Sequence, residues 1–108
     1  MEVVIGRFEI YLVTLDPTVG AEIRKTRPCV IISPDEMNDR MQTVLVAPLT
    51  SMSRPLPFRV DSEVGGKRGQ IALDQIRAVD RHRLVKRVGK LDRHTSRLTV
   101  KTLLQMFS

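Results

Sequence analysis

From Phe8 to Thr14 apolar and polar residues alternate, with Phe8, Ile10 and Leu12 sharing one side, as in a half-buried strand. A charged loop follows, opened by Asp16-Pro17, whose fixed φ suits a chain reversal, with Gly20 as its permissive position. The run at 28–32 is more continuously apolar and reads as a central strand. Residues 34–40 form a turn with room for one helical turn, since Asp35 and Glu36 suit its N-terminus. Residues 43–50 form a third strand, whose Pro48 predicts an edge or a bulge. After a loop at 51–57 containing Pro55 and Pro57, the residues Phe58, Arg59 and Val60 return briefly to strand. A glycine-rich turn at 65–69 leads into an alternating run at 70–79, and 84–91 is a further short strand. From Asp92 or Thr95 onward the period changes. Val100, Leu103, Leu104 and Phe107 fall at helical spacing and are predicted to face the core.

Short strands separated by Gly/Pro turns, closed by one helix, predict a mainly β chain: a small, strongly bent barrel with a C-terminal helix. The connections are too short for helical crossovers, and no repeat is visible, so residues 1–108 read as one domain. No apolar run is long enough to span a bilayer, and the first residues carry neither a basic leader nor a signal segment, so a cytoplasmic protein is expected. Cys29, the sole cysteine, lies within an apolar run and reads as a small core residue.

The chain carries a net charge of +6, which points to a polyanionic partner. With Phe8, Tyr11, Phe58 and Phe107 as its only aromatics, it is ill-suited to stacking bases on paired rings. Arginines and lysines on loops would supply the attraction; Arg81, Arg83, Lys86, Arg87, Lys90 and Arg93 read as a solvated basic face. His82 and His94 lack metal-ligand spacing, no serine sits in a nucleophile elbow, and no phosphate-cradling glycine motif is present, so no metal or cofactor is expected. RNA relaxes these demands because its 2′-hydroxyl is the nucleophile. Transesterification then needs a base, an acid and donors to the charged phosphorane. The loop offers Glu22 and Arg27, and the third strand ends on Thr50; read by themselves, Arg27 is equally an ion-pairing residue and Thr50 a strand end.

In order along the chain stand Glu9-Ile10-Tyr11-Leu12-Val13, Leu15-Asp16-Pro17-Thr18-Val19-Gly20-Ala21-Glu22 and Thr26-Arg27-Pro28-Cys29-Val30-Ile31-Ile32-Ser33-Pro34. Val46-Ala47-Pro48-Leu49-Thr50-Ser51 and Asp74-Gln75-Ile76-Arg77-Ala78-Val79-Asp80 follow, with Arg83-Leu84 and Lys90-Leu91 beyond them. Together they resemble the MazF/PemK (Kid-like) toxins over nearly the whole chain. The resemblance implies an SH3-like barrel with a C-terminal helix, forming a homodimer. It also implies a sequence-specific, metal-independent endoribonuclease (an mRNA interferase of a toxin–antitoxin module) that leaves 2′,3′-cyclic phosphate and 5′-hydroxyl ends on single-stranded RNA. A cognate antitoxin peptide would neutralise it by lying across the RNA groove.

Carried over by position, Glu22, Arg27 and Thr50 are the catalytic set. Asp74 is the alternative base, as in the PemK branch. Arg24, Lys25, Ser51, Asp74, Gln75 and Arg77 are the RNA-contacting set. The chain departs from the pattern at four places. Phe8 stands where most members have glycine and reads as a packing variation. Ala72 replaces a second catalytic arginine of the PemK branch, so that branch's acid–base pair is not expected. Ala21 replaces a histidine of some members, and Arg24-Lys25 replaces a glycine-containing loop. Two other function classes compete. A CcdB-like gyrase poison would need a Trp-bearing C-terminal tip, which this chain lacks. A non-catalytic RNA- or antitoxin-binding module would not need Glu22, Arg27 and Thr50 together.

Overall fold

A computed structural model of the chain describes residues 4–15 and 26–108. They form β1 (Glu9–Thr14), β2 (Thr26–Ile31), α1 (Asp35–Arg40), β3 (Thr43–Thr50), β4 (Arg59–Val64), β5 (Lys67–Ala72), β6 (Arg77–Asp80), β7 (Leu84–Lys90) and α2 (Arg93–Met106). All strand pairs are antiparallel, in the order β4-β5-β3-β2-β1-β7, with β6 also on β3. The sheet curls until its edge strands approach: a Cβ placed on Gly89 of β7 would lie 3.8 Å from Val64 of β4. This is the mainly β, barrel-like architecture with a C-terminal helix that the pattern predicts. No helix among the described residues is long and apolar enough to cross a membrane.

Because side chains alternate along a strand, the sheet has two apolar faces. One carries Tyr11, Val13, Cys29, Ile31, Val44, Val46 and Val79. The other carries Ile10, Val30, Ala47, Val60, Ile71 and Leu73, with Leu103 of α2 packed against it. The alternating residues of β1 and the apolar run of β2 thus bury opposite sides of one layer.

Four expectations are corrected. The turn after β4 is only Gly65-Gly66; both have positive φ, and Val64 pairs with Lys67, so β5 begins earlier than the pattern suggests. Pro48 is on neither an edge strand nor a bulge. Leu45 turns its carbonyl toward β2, accepting from Ile32, so alternation turns the Pro48 nitrogen to β3's other side. There β6 pairing ends at Val46 and β5 pairing starts at Leu49, so the missing N–H falls in the seam between partners. On α2 the buried positions are Thr95, Thr99 and Thr102, whereas Leu104 and Phe107 are 67% and 79% exposed and Val100 and Leu103 half-buried. The basic face is partly tied down: Arg81 donates to the carbonyls of Asn38 and Met41, Arg83 to that of Leu15, and Arg87 pairs with Glu9.

Phe8 is more than a packing variation. Its φ is +70°, in the left-handed region that glycine occupies without penalty. The strain persists because Phe8 bridges two strands: its N–H donates to Ile31 (2.8 Å) and its carbonyl accepts from Leu91 (3.0 Å). Its ring packs on the second core under the Arg7 guanidinium, 4.8 Å away. Phe8→Gly and Phe8→Ala lose the same ring, but only glycine relieves the backbone. Phe8→Gly is therefore expected to be more stable than Phe8→Ala by about 1 kcal/mol, or roughly 4–8 °C in Tm. Equal melting temperatures would remove the strain argument.

Candidate active site

The site lies where β2 begins and β3 ends. The β2–β3 ladder pairs Cys29 with Pro48, Val30 with Ala47 and Ile31 with Val46. Continuing that register by two residues sets Arg27 abreast of Thr50. Thr50 pairs in turn with Gln70 of β5, and Gln70 with Asp61 of β4. Thr50, Gln70 and Asp61 thus form one row across three strands, with neighbouring backbones about 4.8 Å apart, and Arg27 lies on the extension of β2, two residues beyond its last pair with β3. All four belong to the Cys29 face. Arg77, opposite Val46, shares that face.

The electrostatics agree with this placement. Burial pushes the Cys29 thiol up to about 11, while the charges of Arg27 and Arg77 act on it in the opposite direction. Both arginines are exposed. Thr50 is half-buried, and its Oγ1 accepts from the N–H of Met52 at 3.1 Å. That bond fixes the oxygen and leaves the hydroxyl hydrogen to donate elsewhere. Ser51, next in the chain, is exposed.

Asp74 and Gln75 sit in a 3-10 turn (Leu73–Gln75) packed beside β3 in the seam between β5 and β6, and both are exposed. Asp74 is not idle. Arg59 grips it with both arms, Nε to Oδ1 at 2.7 Å and Nη2 to Oδ2 at 3.0 Å. Those hydrogen bonds, outweighing partial burial, hold its carboxyl below the usual aspartate range. Arg59 stands directly opposite Ala72 in the β4–β5 ladder. An arginine thus does face Asp74, supplied by the neighbouring strand. Its side chain is 7% exposed, so it orders Asp74 and offers little to a ligand.

Sequence reasoning missed Arg59, Gln70 and Gly69, because their roles depend on cross-strand neighbours. The sequence pattern puts Gly69 in the turn; in the fold it lies in β5, where an added Cβ would be 2.5 Å from the Thr50 carbonyl oxygen. Glu22, Arg24 and Lys25 lie outside the described residues. Among the described residues no three of His, Cys, Asp and Glu converge as metal ligands.

Among the described residues the arrangement is two exposed arginines beside a half-buried hydroxyl, set on the sheet, which are groups suited to donating to an anion. The family model for the PemK-like, MazF-like toxin of type II toxin–antitoxin systems matches residues 6–107. Endoribonuclease EndoA of Bacillus subtilis is 30% identical over 95 residues, covering 82% of each chain. Endoribonuclease PemK of Escherichia coli is 39% identical over 79 residues, which is 68% of this chain and 59% of PemK. Among solved structures, a MazE–MazF crystal structure from Deinococcus radiodurans superposes with a TM-score of 0.82 at 21% identity, covering 98% of this chain and 97% of that one.

Proposed function

The chain belongs to the PemK-like, MazF-like toxin family of type II toxin–antitoxin systems, and on that premise we propose that it is a metal-independent, sequence-specific endoribonuclease acting on single-stranded RNA. The observation that supports the reading is the β2–β3 register, whose continuation past Cys29–Pro48 puts Arg27 and Thr50 at adjoining strand ends. Both donate to the non-bridging oxygens of one phosphate, where negative charge builds as the 2′-oxygen attacks phosphorus. Glu22 takes the 2′-hydroxyl proton, and the P–O5′ bond breaks to leave a 2′,3′-cyclic phosphate. Water at the exposed rim protonates the departing 5′-oxygen. Arg24, Lys25, Ser51, Gln75 and Arg77 hold the flanking chain, the cations by charge and the others by hydrogen bonds.

The state of Asp74 argues for Glu22 as the base. A carboxylate doubly bonded to a guanidinium has lost proton affinity, so Asp74 orders the site and contacts RNA without taking the proton. Asp74→Asn is expected to raise KM and leave the pH dependence of kcat unchanged, whereas Glu22→Gln lowers kcat by about 10²–10⁴ and abolishes the acid limb of its pH profile, where a general base must lose its proton. The same substitution has a stability signature. The depressed folded pKa means that the Asp74–Arg59 pair stabilises the fold above the unfolded aspartate value and loses that contribution as pH falls through the folded one, so Asp74→Asn flattens the acid limb of stability. Loss of the kcat profile in Asp74→Asn would make Asp74 the base.

One toxin domain over residues 1–108 acts in the cytoplasm, where its messenger RNA substrate lies, and an antitoxin neutralises it. The Deinococcus radiodurans MazE–MazF complex supports the partner class. A homodimer is supported by the exposed apolar residues Leu98, Leu104, Met106 and Phe107 of the terminal helix region. Long single-stranded RNA incubated in EDTA tests the activity. Discrete cuts with cyclic-phosphate ends, absent with Arg27→Ala, are the expected result; intact RNA would overturn it.

A further inference from the structure

The loop that leaves Thr50 is clamped from beneath by one side chain. Gln70 is 5% exposed and lies directly across the ladder from Thr50. Its Oε1 accepts from the backbone N–H of Arg54 at 2.9 Å, and its Nε2 donates to the backbone carbonyl of Arg54 at 3.0 Å. The second Nε2 hydrogen goes to Asp61 Oδ1 at 2.9 Å. A primary amide thus grips both main-chain groups of a single residue sixteen positions away, as one rung of a sheet would. Burying an amide is costly unless every group is bonded, and here every donor and the acceptor are used.

What the clamp holds is a cation. Arg54 is exposed, with its backbone tied on the Thr50 face and Pro55 stiffening the chain behind it. Its charge is felt by Asp74, on the site side of the loop, where it helps to hold that carboxyl low. An unclamped loop would pay ordering entropy each time it brought this guanidinium to a ligand; the amide removes that cost in advance.

We propose that Arg54 contacts an RNA phosphate flanking the scissile one, and that Gln70 is the positioning residue that presents it. This rests on the ribonuclease reading above. A neutral residue should then control a charge-dependent property, which a purely structural glutamine would not do.

The test measures binding of single-stranded RNA carrying 2′-fluoro at every sugar, which lacks the nucleophile, across a range of salt concentrations. Arg54→Gln is expected to lower the slope of log K against log salt by about 0.7, the value for one phosphate contact on a single strand. Gln70→Met, neutral for neutral and similar in size, is expected to lower it equally, with no further change in the double variant. A wild-type slope in Gln70→Met together with a lower Tm would make Gln70 structural only and overturn its assignment. A wild-type slope in Arg54→Gln, an exposed position where folding is not at stake, would overturn the whole inference. Cleavage of unmodified RNA by the wild type is read alongside. Its absence overturns the ribonuclease reading and this inference with it, whereas cleavage with unchanged slopes overturns the inference alone.

Discussion

Arg27→Ala is expected to fold normally and to cut RNA at least about 10²–10³ times more slowly than the wild type, the cost of removing a preorganised donor to a charged transition state. Arg27 is exposed at the first turn of a strand whose core contacts begin two residues later, at Cys29. Truncating it removes no buried surface, and stability should stay within about 0.5 kcal/mol. On the proposed mechanism, cleavage instead depends on this guanidinium reaching the phosphate that Thr50 also contacts. Lysine should restore only part of the rate, because a point charge cannot donate through two parallel arms. Single-turnover cleavage in EDTA, paired with thermal melting, separates the two effects. Undiminished cleavage by Arg27→Ala would remove this residue from the chemistry.

Gly69→Ala should be nearly as damaging to cleavage, for a reason of space alone. The added Cβ would lie 2.5 Å from the Thr50 carbonyl oxygen and 3.4 Å from its carbon. The obstacle is main chain, which cannot swing aside as a side chain does, so the end of β3 must move away from β5. Overpacking of this kind costs about 1–3 kcal/mol. A shift approaching 1 Å in a catalytic group costs on the order of 10²-fold in rate. A control comes from the hairpin turn: a Cβ on Gly65 meets nothing within 4 Å, but its φ is +59°. Gly65→Ala should therefore lower Tm while sparing cleavage, whereas Gly69→Ala lowers both. If Gly69→Ala cleaves like the wild type, the position of Thr50 is not set from β5.

The strands were legible in the sequence, but alternation predicted one buried side of β1, and the fold buries Tyr11 and Val13 on the other side as well. Cys29 was legible because its apolar neighbours all go inside. The face of α2 was read only in part: Leu103 does pack on the second core, but Leu104 and Phe107 turn outward, and the buried positions are threonines. Thr99 and Thr102 donate to the carbonyls of Thr95 and Leu98, both at 2.8 Å, so their hydroxyls are satisfied within the helix and their methyls can be buried. A residue that settles its own polar group locally looks polar in a sequence and behaves as a small apolar one in a fold. At the site, the family pattern singles out Arg27 and Thr50, and the fold sets them near the ends of neighbouring strands. Arg59, Gly69 and Gln70 were not legible, because each acts on a residue one strand away, and register is not a property of any single segment.

The seam at Pro48 has a mechanical consequence. Below it β3 is held by β6, and above it by β5, so the last residues of β3 ride with the β4–β5 hairpin while Arg27 rides with β2. The gap between Arg27 and Thr50 is thus a readout of how tightly the sheet is curled. Any load that bends the hairpin outward opens the jaws of the site at a distance, without touching either residue that lines them.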